Sequence, residues 1–558
     1  MDVFLLGGVC VLIYAFVGVA QEWAGPYRPR IEIDLSLSSL FFYSIFSLVR
    51  VFAAYFLSLV FTFTFGYWAA KSRKAEPILI SLLDILQSVP VLGFMPGLVL
   101  ALCNIFPHSN FGLELAAVFM VFTCEGWNMV FSFYSSVKSV PSELRDMSQV
   151  FRMRNRDILY RIEIPYSMNG LIWNSMLSMA GGWFYIMVME SFSLGDKDFR
   201  LPGIGSYMAV AYEQKDTRAI IAGISVMFVL IILVDRVLWA PLVAWSERFR
   251  YDRENPRAPR SLILELLKRS QLLAIHSEWS KRFQQWWKKR KGTLLESLPA
   301  PYFGSEFKTL TWKIVRWTLI SLGAAAMLYG LKSMYVLLSA SHWTDWLFHL
   351  RDTGLTFLRV MSAVVLGSLW TIPLGVFIGM NPKWTARLQP LVQVVASFPA
   401  PMVFPVITYL LVVSGVGIEF GSVVLMVFAS QWYILFNVIS GATQIPHSMI
   451  ELASAFQVRG WAYWRAIIIP AIFPSLVNGW ITAAGGAWNS CIVSELVMYG
   501  GSKMTATGIG ASITEATQAA DFSRLAGATV TMITVVVLLN RFFWGALYRL
   551  AETRFRIE

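Results

Sequence analysis

Residues 141–165 read PSELRDMSQVFRMRNRDILYRIEIP, and residues 446–470 read PHSMIELASAFQVRGWAYWRAIIIP. The two align without a gap at an offset of 305, sharing Pro141/Pro446, Phe151/Phe456, Arg154/Arg459, Ile162/Ile467, Ile164/Ile469 and Pro165/Pro470. The same offset pairs Trp127 with Trp432, Phe131 with Phe436, Gly181 with Gly486, Trp183 with Trp488 and Glu190 with Glu495. Further on it brings Gly203-Ile204-Gly205 onto Gly508-Ile509-Gly510, Asp216 onto Asp521, and Arg236 and Trp239 onto Arg541 and Trp544. Chance does not hold one register over such a length, so the chain is a tandem duplication.

Each copy of the stretch is polar, bounded by prolines and set between long apolar runs, which is the position of a cytoplasmic loop. Its period is helical. In the second copy Met449, Leu452, Ala453, Ala455 and Phe456 gather on one side, with Glu451, Gln457, Arg459 and Arg465 round the rest. That pattern predicts a short helix at the membrane surface whose partly apolar face is open to a partner protein.

The apolar runs set the class. Of the 558 residues, 56% are hydrophobic and only 14% charged, where soluble domains run at about 25% charged. A spanning helix needs about 20 largely apolar residues, and such runs lie near 1–20, 40–69, 79–104, 112–137, 166–192 and 218–244, then near 315–337, 356–380, 390–414, 418–440, 471–499 and 524–548. Six and six predict an all-α polytopic membrane protein. The expected division is a first repeat over 1–245, a linker over 246–312 and a second repeat over 313–558.

Lysine and arginine orient the spans. Lys71, Arg73 and Lys74, the five arginines between Arg145 and Arg161, and Arg549, Arg554 and Arg556 fall on one side of a twelve-span topology, whereas the loops at 107–110 and 415–418 carry no lysine or arginine. Both termini are therefore expected in the cytoplasm. The net charge of +12 then reflects this asymmetry and attraction to anionic lipid, and nothing in it calls for a nucleic acid. Cys10, Cys103, Cys124 and Cys491 are scattered through predicted spans without metal or redox spacing, and read as small buried apolar residues. The opening run MDVFLLGGVCVLIYAFVGVA lacks the basic start of a signal peptide and is read as a retained span.

The duplicated stretch resembles the EAA loop of ABC importer permeases, whose consensus is roughly E-A-A, three residues, G, and about nine residues later I-x-L-P. The second copy matches at Glu451, Ala453, Ile467 and Pro470; in the first the acid is Asp146 and the small residue Ser148, followed by Ile162 and Pro165. The consensus glycine is replaced in both copies, by Arg152 and Gln457. The flanking pattern, with Gly-Gly-x-Trp and Glu after the loop and then Gly-Ile-Gly, is most similar to the nitrate, sulfonate, taurine and bicarbonate branch, where the permease is normally a single copy that dimerises. The resemblance implies two tandem six-helix type I permease domains in a bacterial inner membrane. It also implies two copies of a separately encoded ATPase that bind the ATP and magnesium, and a periplasmic or lipid-anchored substrate-binding protein docking on the outer loops. On this reading Asp146 and Glu451 pair with basic residues of the ATPase or cap the loop helix. Phe151, Arg152, Arg154, Ala453, Phe456, Gln457 and Arg459 lie in the coupling loops, and Pro165 and Pro470 stop each loop where the next span begins.

Other residues point to the path itself. Arg50 and Arg359 sit inside apolar runs at an offset of 309, and an arginine there costs at least ~2.5 kcal/mol unless it is paired or meets water. Glu190 and Glu495 are the expected partners, either as a structural ion pair or as part of an electropositive path. Gln87, Pro90 and Pro96, and Ser397, Phe398, Pro399 and Pro405, place two prolines in one span of each half. These break the backbone ladder twice and read as a pore wall or gate, or as packing kinks. Trp183 and Trp488 with Asn489 follow Gly-Gly pairs and line the path or serve close packing. The linker carries fourteen Lys/Arg against seven Asp/Glu and the run Trp286-Trp287-Lys288-Lys289-Arg290-Lys291. Leucines from Leu262 to Leu273 fit a helix on the cytoplasmic leaflet, or a regulatory contact with the ATPase.

No GxxxxGK[ST] phosphate loop occurs, and the five histidines form no HExxH or similar spacing, so neither a nucleotide site of that kind nor a metal or nucleophile constellation is predicted. The function expected is passage of a small solute, by the resemblance an oxyanion or sulfonate such as nitrate, taurine or bicarbonate. The alternatives are an ion-gradient carrier, and an ABC permease for iron or thiamine.

Overall fold

The computed structural model describes Trp23, residues 32–194 and 197–249, Leu264, Glu265, Thr318, Ser321, Ala325, and residues 328–499 and 502–555. The run at 1–20 with Cys10, most of the linker helix and the basic run at 286–291 lie outside these residues. The chain forms two compact units, one of residues 15–259 with 343–558, the other of residues 1–14 with 260–342. In the smaller unit residues 328–339 are helical.

The larger unit contains the same element order twice. In the first repeat these are α1 (Leu37–Lys71), α2 (Glu76–Ser88), α3 (Val91–Ile105), α4 (Phe111–Lys138), α5 (Ser142–Val150), α6 (Asn155–Glu190), α7 (Ile204–Glu213) and α8 (Thr217–Phe249). In the second they are α9 (Trp343–Gly379), α10 (Pro382–Ala396), α11 (Ala400–Val413), α12 (Ile418–Thr443), α13 (His447–Ala455), α14 (Trp461–Ser494), α15 (Ile509–Gln518) and α16 (Phe522–Arg554). Short hairpins follow α6 and α14: β1 (Ser193–Leu194) with β2 (Lys197–Asp198), and β3 (Leu496–Tyr499) with β4 (Ser502–Thr505). Among the described residues eight helices are long and apolar enough to cross a membrane, ten if each bent pair is one span.

The structure corrects several sequence expectations. The runs at 79–104 and 390–414 are not single helices; α2 meets α3 at a bend of 95° and α10 meets α11 at 81°. The break falls at the first proline only. Val89 takes an extended ψ of 123° before Pro90, as the residue before proline must, and Pro399 likewise leads α11 from outside. Pro96 and Pro405 lie inside α3 and α11, which continue through them.

Nor do Pro165 and Pro470 stop a loop. Both lie inside continuous helices that begin about ten residues earlier, just after π-helical turns at Leu159–Glu163 and Trp464–Ile468. A π turn shifts the ladder by one residue, and that slack absorbs the bond a proline cannot donate. The run at 471–499 ends early for a related reason: Leu496–Tyr499 leaves the helix to pair as a strand.

Within each repeat, α4 packs along α6 and α12 along α14. Between repeats the packing is exchanged: α3 lies on α14 while its counterpart α11 lies on α6, and α2 meets α16 while α10 meets α8. The main core cluster accordingly mixes both halves, from Met95 and Met179 to Ile434 and Met532. Polar contacts cross the same seam. The Val91 N–H donates to Asn489 Oδ1 at 2.7 Å, Thr529 Oγ1 to the Gly93 carbonyl at 3.1 Å, and the Tyr212 hydroxyl to the Met402 carbonyl at 2.5 Å.

Candidate functional site

Three places are candidates for function: a duplicated buried ion cluster, the two loop helices, and a cavity at the seam.

In the ion cluster Arg50, on α1, lies fully buried between two carboxylates. Its Nε is 2.6 Å from Glu114 and its Nη1 2.8 Å from Glu190, with a further bond to the Pro202 carbonyl at 2.7 Å. Glu190 also accepts from the Ser47 hydroxyl at 2.7 Å and from the Gly205 N–H at 2.8 Å. The second repeat reproduces this. Arg359 bonds Glu495 at 2.9 Å and the Thr507 carbonyl at 2.8 Å and pairs with Glu419, while Glu495 accepts from Thr356 at 2.7 Å and the Gly510 N–H at 2.8 Å. Each arginine thus has every neighbour an intramembrane charge requires.

The cluster explains the recurrent Gly-Ile-Gly. A Cβ on Gly203 would stand 2.1 Å from the Glu190 carboxyl, and one on Gly508 2.4 Å from that of Glu495. The start of α7 and of α15 is pressed onto the preceding span by these bonds. Glu114 and Glu419 were not singled out from sequence, although the offset of 305 pairs them. The two clusters differ in cover: the Glu114 side chain is fully buried, whereas that of Glu419 is 58% exposed.

The loop helices α5 and α13 are each nine residues long and begin after Pro141 and Pro446. Asp146 and Glu451 are fifth in their helices, exposed, and so do not cap them; both N-caps lack a side-chain bond. Ser148 and Ala453 are buried, which is why a small residue stands there. Both helices end in a left-handed residue where the consensus has glycine, Arg152 at φ 47° and Gln457 at φ 52°. The Met153 N–H reaches the Ser148 carbonyl and the Val458 N–H the Ala453 carbonyl, each at 2.9 Å, so both turns are Schellman caps built without glycine. Arg154 and Arg459 are exposed. Phe151 and Phe456, the C-caps, are 71% and 74% exposed.

The seam cavity, of about 60 Å³, lies between α6 of the first repeat and α11, α12 and α14 of the second. Its wall includes Phe184, Tyr185, Phe398, Pro399, Phe428, Trp432, Tyr433, Phe436 and Asn489. Of the path candidates, Phe398, Pro399 and Asn489 are therefore brought together. Trp183 and Trp488 are not in this wall: both are buried core residues, and their neighbours Phe184 and Asn489 line the cavity instead. Trp183 and Ser397 border a gap of about 10 Å³, room for one water molecule at most. Gln87 is exposed and Pro90 buried at the bend, and neither is in the cavity wall. Phe428, Tyr433 and Tyr185 were missed because an aromatic on an apolar span carries no mark of facing a cavity.

One buried group has no counterpart. Among the described residues neither carboxylate oxygen of Glu125 on α4 accepts a hydrogen bond within bonding geometry, its neighbour Ser58 donating to the Ala54 carbonyl; the second repeat has Ser430 at that position.

Fold and site together define a duplicated, multi-pass helical membrane transport subunit. The sequence profile of the binding-protein-dependent transport system inner membrane component matches twice, over residues 62–239 and 371–557. The chain belongs to that family, as a tandem-duplicated ABC transporter permease. The bicarbonate transport system permease protein CmpB of Synechocystis sp. is 26% identical over 264 residues, covering 46% of this chain and 89% of that protein. CmpB of Synechococcus elongatus is 25% identical over 224 residues, 40% of this chain and 73% of the relative. The glycine betaine/proline betaine transport system permease protein ProW of Escherichia coli is 22% identical over 218 residues, 39% of this chain and 56% of the relative.

Proposed function

We propose that the two repeats enclose one path through the bacterial inner membrane for a small solute, an oxyanion or sulfonate such as nitrate, taurine or bicarbonate. Movement along it is driven by two separately encoded ATPase subunits that bind ATP and magnesium. A periplasmic or lipid-anchored binding protein delivers the solute to the outer loops, and both termini lie in the cytoplasm. Family membership supports an ATP-driven path over the ion-gradient alternative. The bicarbonate permeases among the relatives support the oxyanion class over iron or thiamine.

The observation that carries the coupling is the pair of phenylalanines at the ends of α5 and α13. Both stand in the same register, on polar loops, with about three quarters of their surface open. Exposed aromatics of this kind become hot spots when a partner's cleft receives them. Asp146, Glu451, Arg154 and Arg459 flank them as the charged rim.

The test is the double variant Phe151→Ala/Phe456→Ala in the complete transporter. Each truncation should remove about 2 kcal/mol of docking energy, and solute-stimulated ATP hydrolysis and uptake should both fall to background. Unchanged uptake together with unchanged stimulation would refute the coupling role.

A further inference from the structure

Glu125 is the buried acid that the two ion clusters do not use. It stands near the middle of α4 with none of its surface exposed, where an ionised carboxylate is tolerated only beside a positive charge or several donors. Neither is at hand among the described residues. The ionisable groups that face it are Tyr55 on α1 and Cys124 beside it on α4. From α6 it meets Gly182, so close that a Cβ there would stand 2.8 Å from Glu125 Oε1. Of the other elements on α4, α3 carries only Cys103, and α2 carries Asp84 and Glu76, the latter bound to Lys138; none of these acts on Glu125. Arg50 is committed to Glu114 and Glu190, and lies about 12 Å of helix away from Ser58, the α1 residue at the level of Glu125.

The polar side chain facing the carboxyl decides which form it can take. That side chain is Ser58, and its own hydrogen goes to the Ala54 carbonyl at 2.9 Å. The Ser58 oxygen therefore offers lone pairs and no hydrogen. Two acceptors face each other unless one of them brings a proton, and a neutral carboxylic acid brings one. In that form Glu125 donates to Ser58, Ser58 donates to Ala54, and no net charge is left inside the span.

The arrangement belongs to one half of the molecule. The second-repeat equivalents of Ser58, Glu125 and Gly182 are Gly367, Ser430 and Ala487, and Ser430 bonds back within its own helix, to the Met426 carbonyl at 2.7 Å. The acid, the hydroxyl facing it and the glycine that makes room for the carboxyl are thus present together in the first repeat and absent together from the second. The way to water is short: Cys124, the preceding residue, lies against Gly181, which lines the seam cavity.

We infer that Glu125 is a proton-binding site of the first repeat: its carboxyl holds a proton while α1, α4 and α6 stay packed, and passes it to water only when the seam beside Gly181 opens. The inference stands apart from the solute and coupling proposals, and its test needs neither a solute nor an ATPase. Infrared difference spectra of the purified full-length chain in lipid nanodiscs, parent minus Glu125→Gln, should show the carbonyl stretch of a protonated carboxyl at neutral pH. In heavy water that band should shift slowly, at the rate of opening. The folded chain then holds a proton that the unfolded chain releases, so stability falls as pH rises. Above about pH 5 each further pH unit should cost the parent about tenfold in its folding equilibrium relative to Glu125→Gln, groups common to both cancelling. If Glu125→Gln does not fold, Glu125→Asp takes its place, and the band should move rather than vanish. No band assignable to Glu125, a shift in heavy water as fast as mixing, or a stability difference that ignores pH would overturn the inference. Loss of the band on adding sodium chloride at fixed pH would overturn it too, in favour of a site for a metal cation.

Discussion

At the scale of single residues, the cost of a charge inside a membrane decides what is visible. Arg50 and Arg359 stand out in the sequence because an apolar run does not tolerate them unpaired, and this pointed to Glu190 and Glu495. Glu114 and Glu419 gave no such signal, since each stands in the first turn of its span, where an acid is ordinary. Breaking a buried pair leaves an uncompensated charge, which costs about 3–5 kcal/mol, and a pair open to water is worth about 1 kcal/mol or less. Glu190→Ala and Glu495→Ala should therefore destabilise the purified protein by about 3–5 kcal/mol, and Glu419→Ala by about 1 kcal/mol, read by thermal unfolding in detergent. Equal losses in all three would contradict the difference in burial. A second residue-scale expectation concerns the loop turns. A side chain at positive φ costs roughly 1–2 kcal/mol relative to glycine, so Arg152→Gly and Gln457→Gly should each slow proteolysis of the adjacent loop, provided the native turn is kept.

At the scale of elements, proline chemistry was readable but its outcome was not. Two prolines six apart in each half promised two breaks per span. Only the first breaks it, because Pro90 and Pro399 stand just outside a helix start, where the preceding residue is pushed to extended backbone. Pro96 and Pro405 need only one missing bond absorbed. Replacing Pro90 by alanine lifts the restraint on Val89. Spin labels at the exposed positions Ile78 and Ile105 should then move apart, toward the roughly 40 Å that 27 residues of straight helix would span. An unchanged distance would mean that packing of α3 on α14, not the proline, holds the bend. The π turns are the other element-level finding: they let α6 and α14 run through Pro165 and Pro470, so each loop helix connects to a rigid span.

At the scale of the whole molecule, the exchanged packing makes each half incomplete alone. The bent pair of one repeat lies on the last two spans of the other, so the surface each half would expose by itself is apolar core. Residues 1–259 and 260–558 expressed together as separate chains should co-purify as one complex, and neither should be recovered folded alone. Two independently stable halves would contradict the shared core.

The sequence alone determined the duplication, the class, the register of the two loops and the arginine–glutamate pairing, because each follows from a local rule: a repeated offset, hydropathy over a span, or a charge that cannot stand unpaired. Tertiary structure alone decided which aromatics face a cavity and which fill the core, that Trp183 and Trp488 belong to the second group, and that one cluster is sealed while its copy is open. These are properties of how helices from different halves meet, and a side chain buried in protein and one facing a cavity are chemically the same letter until that meeting is fixed.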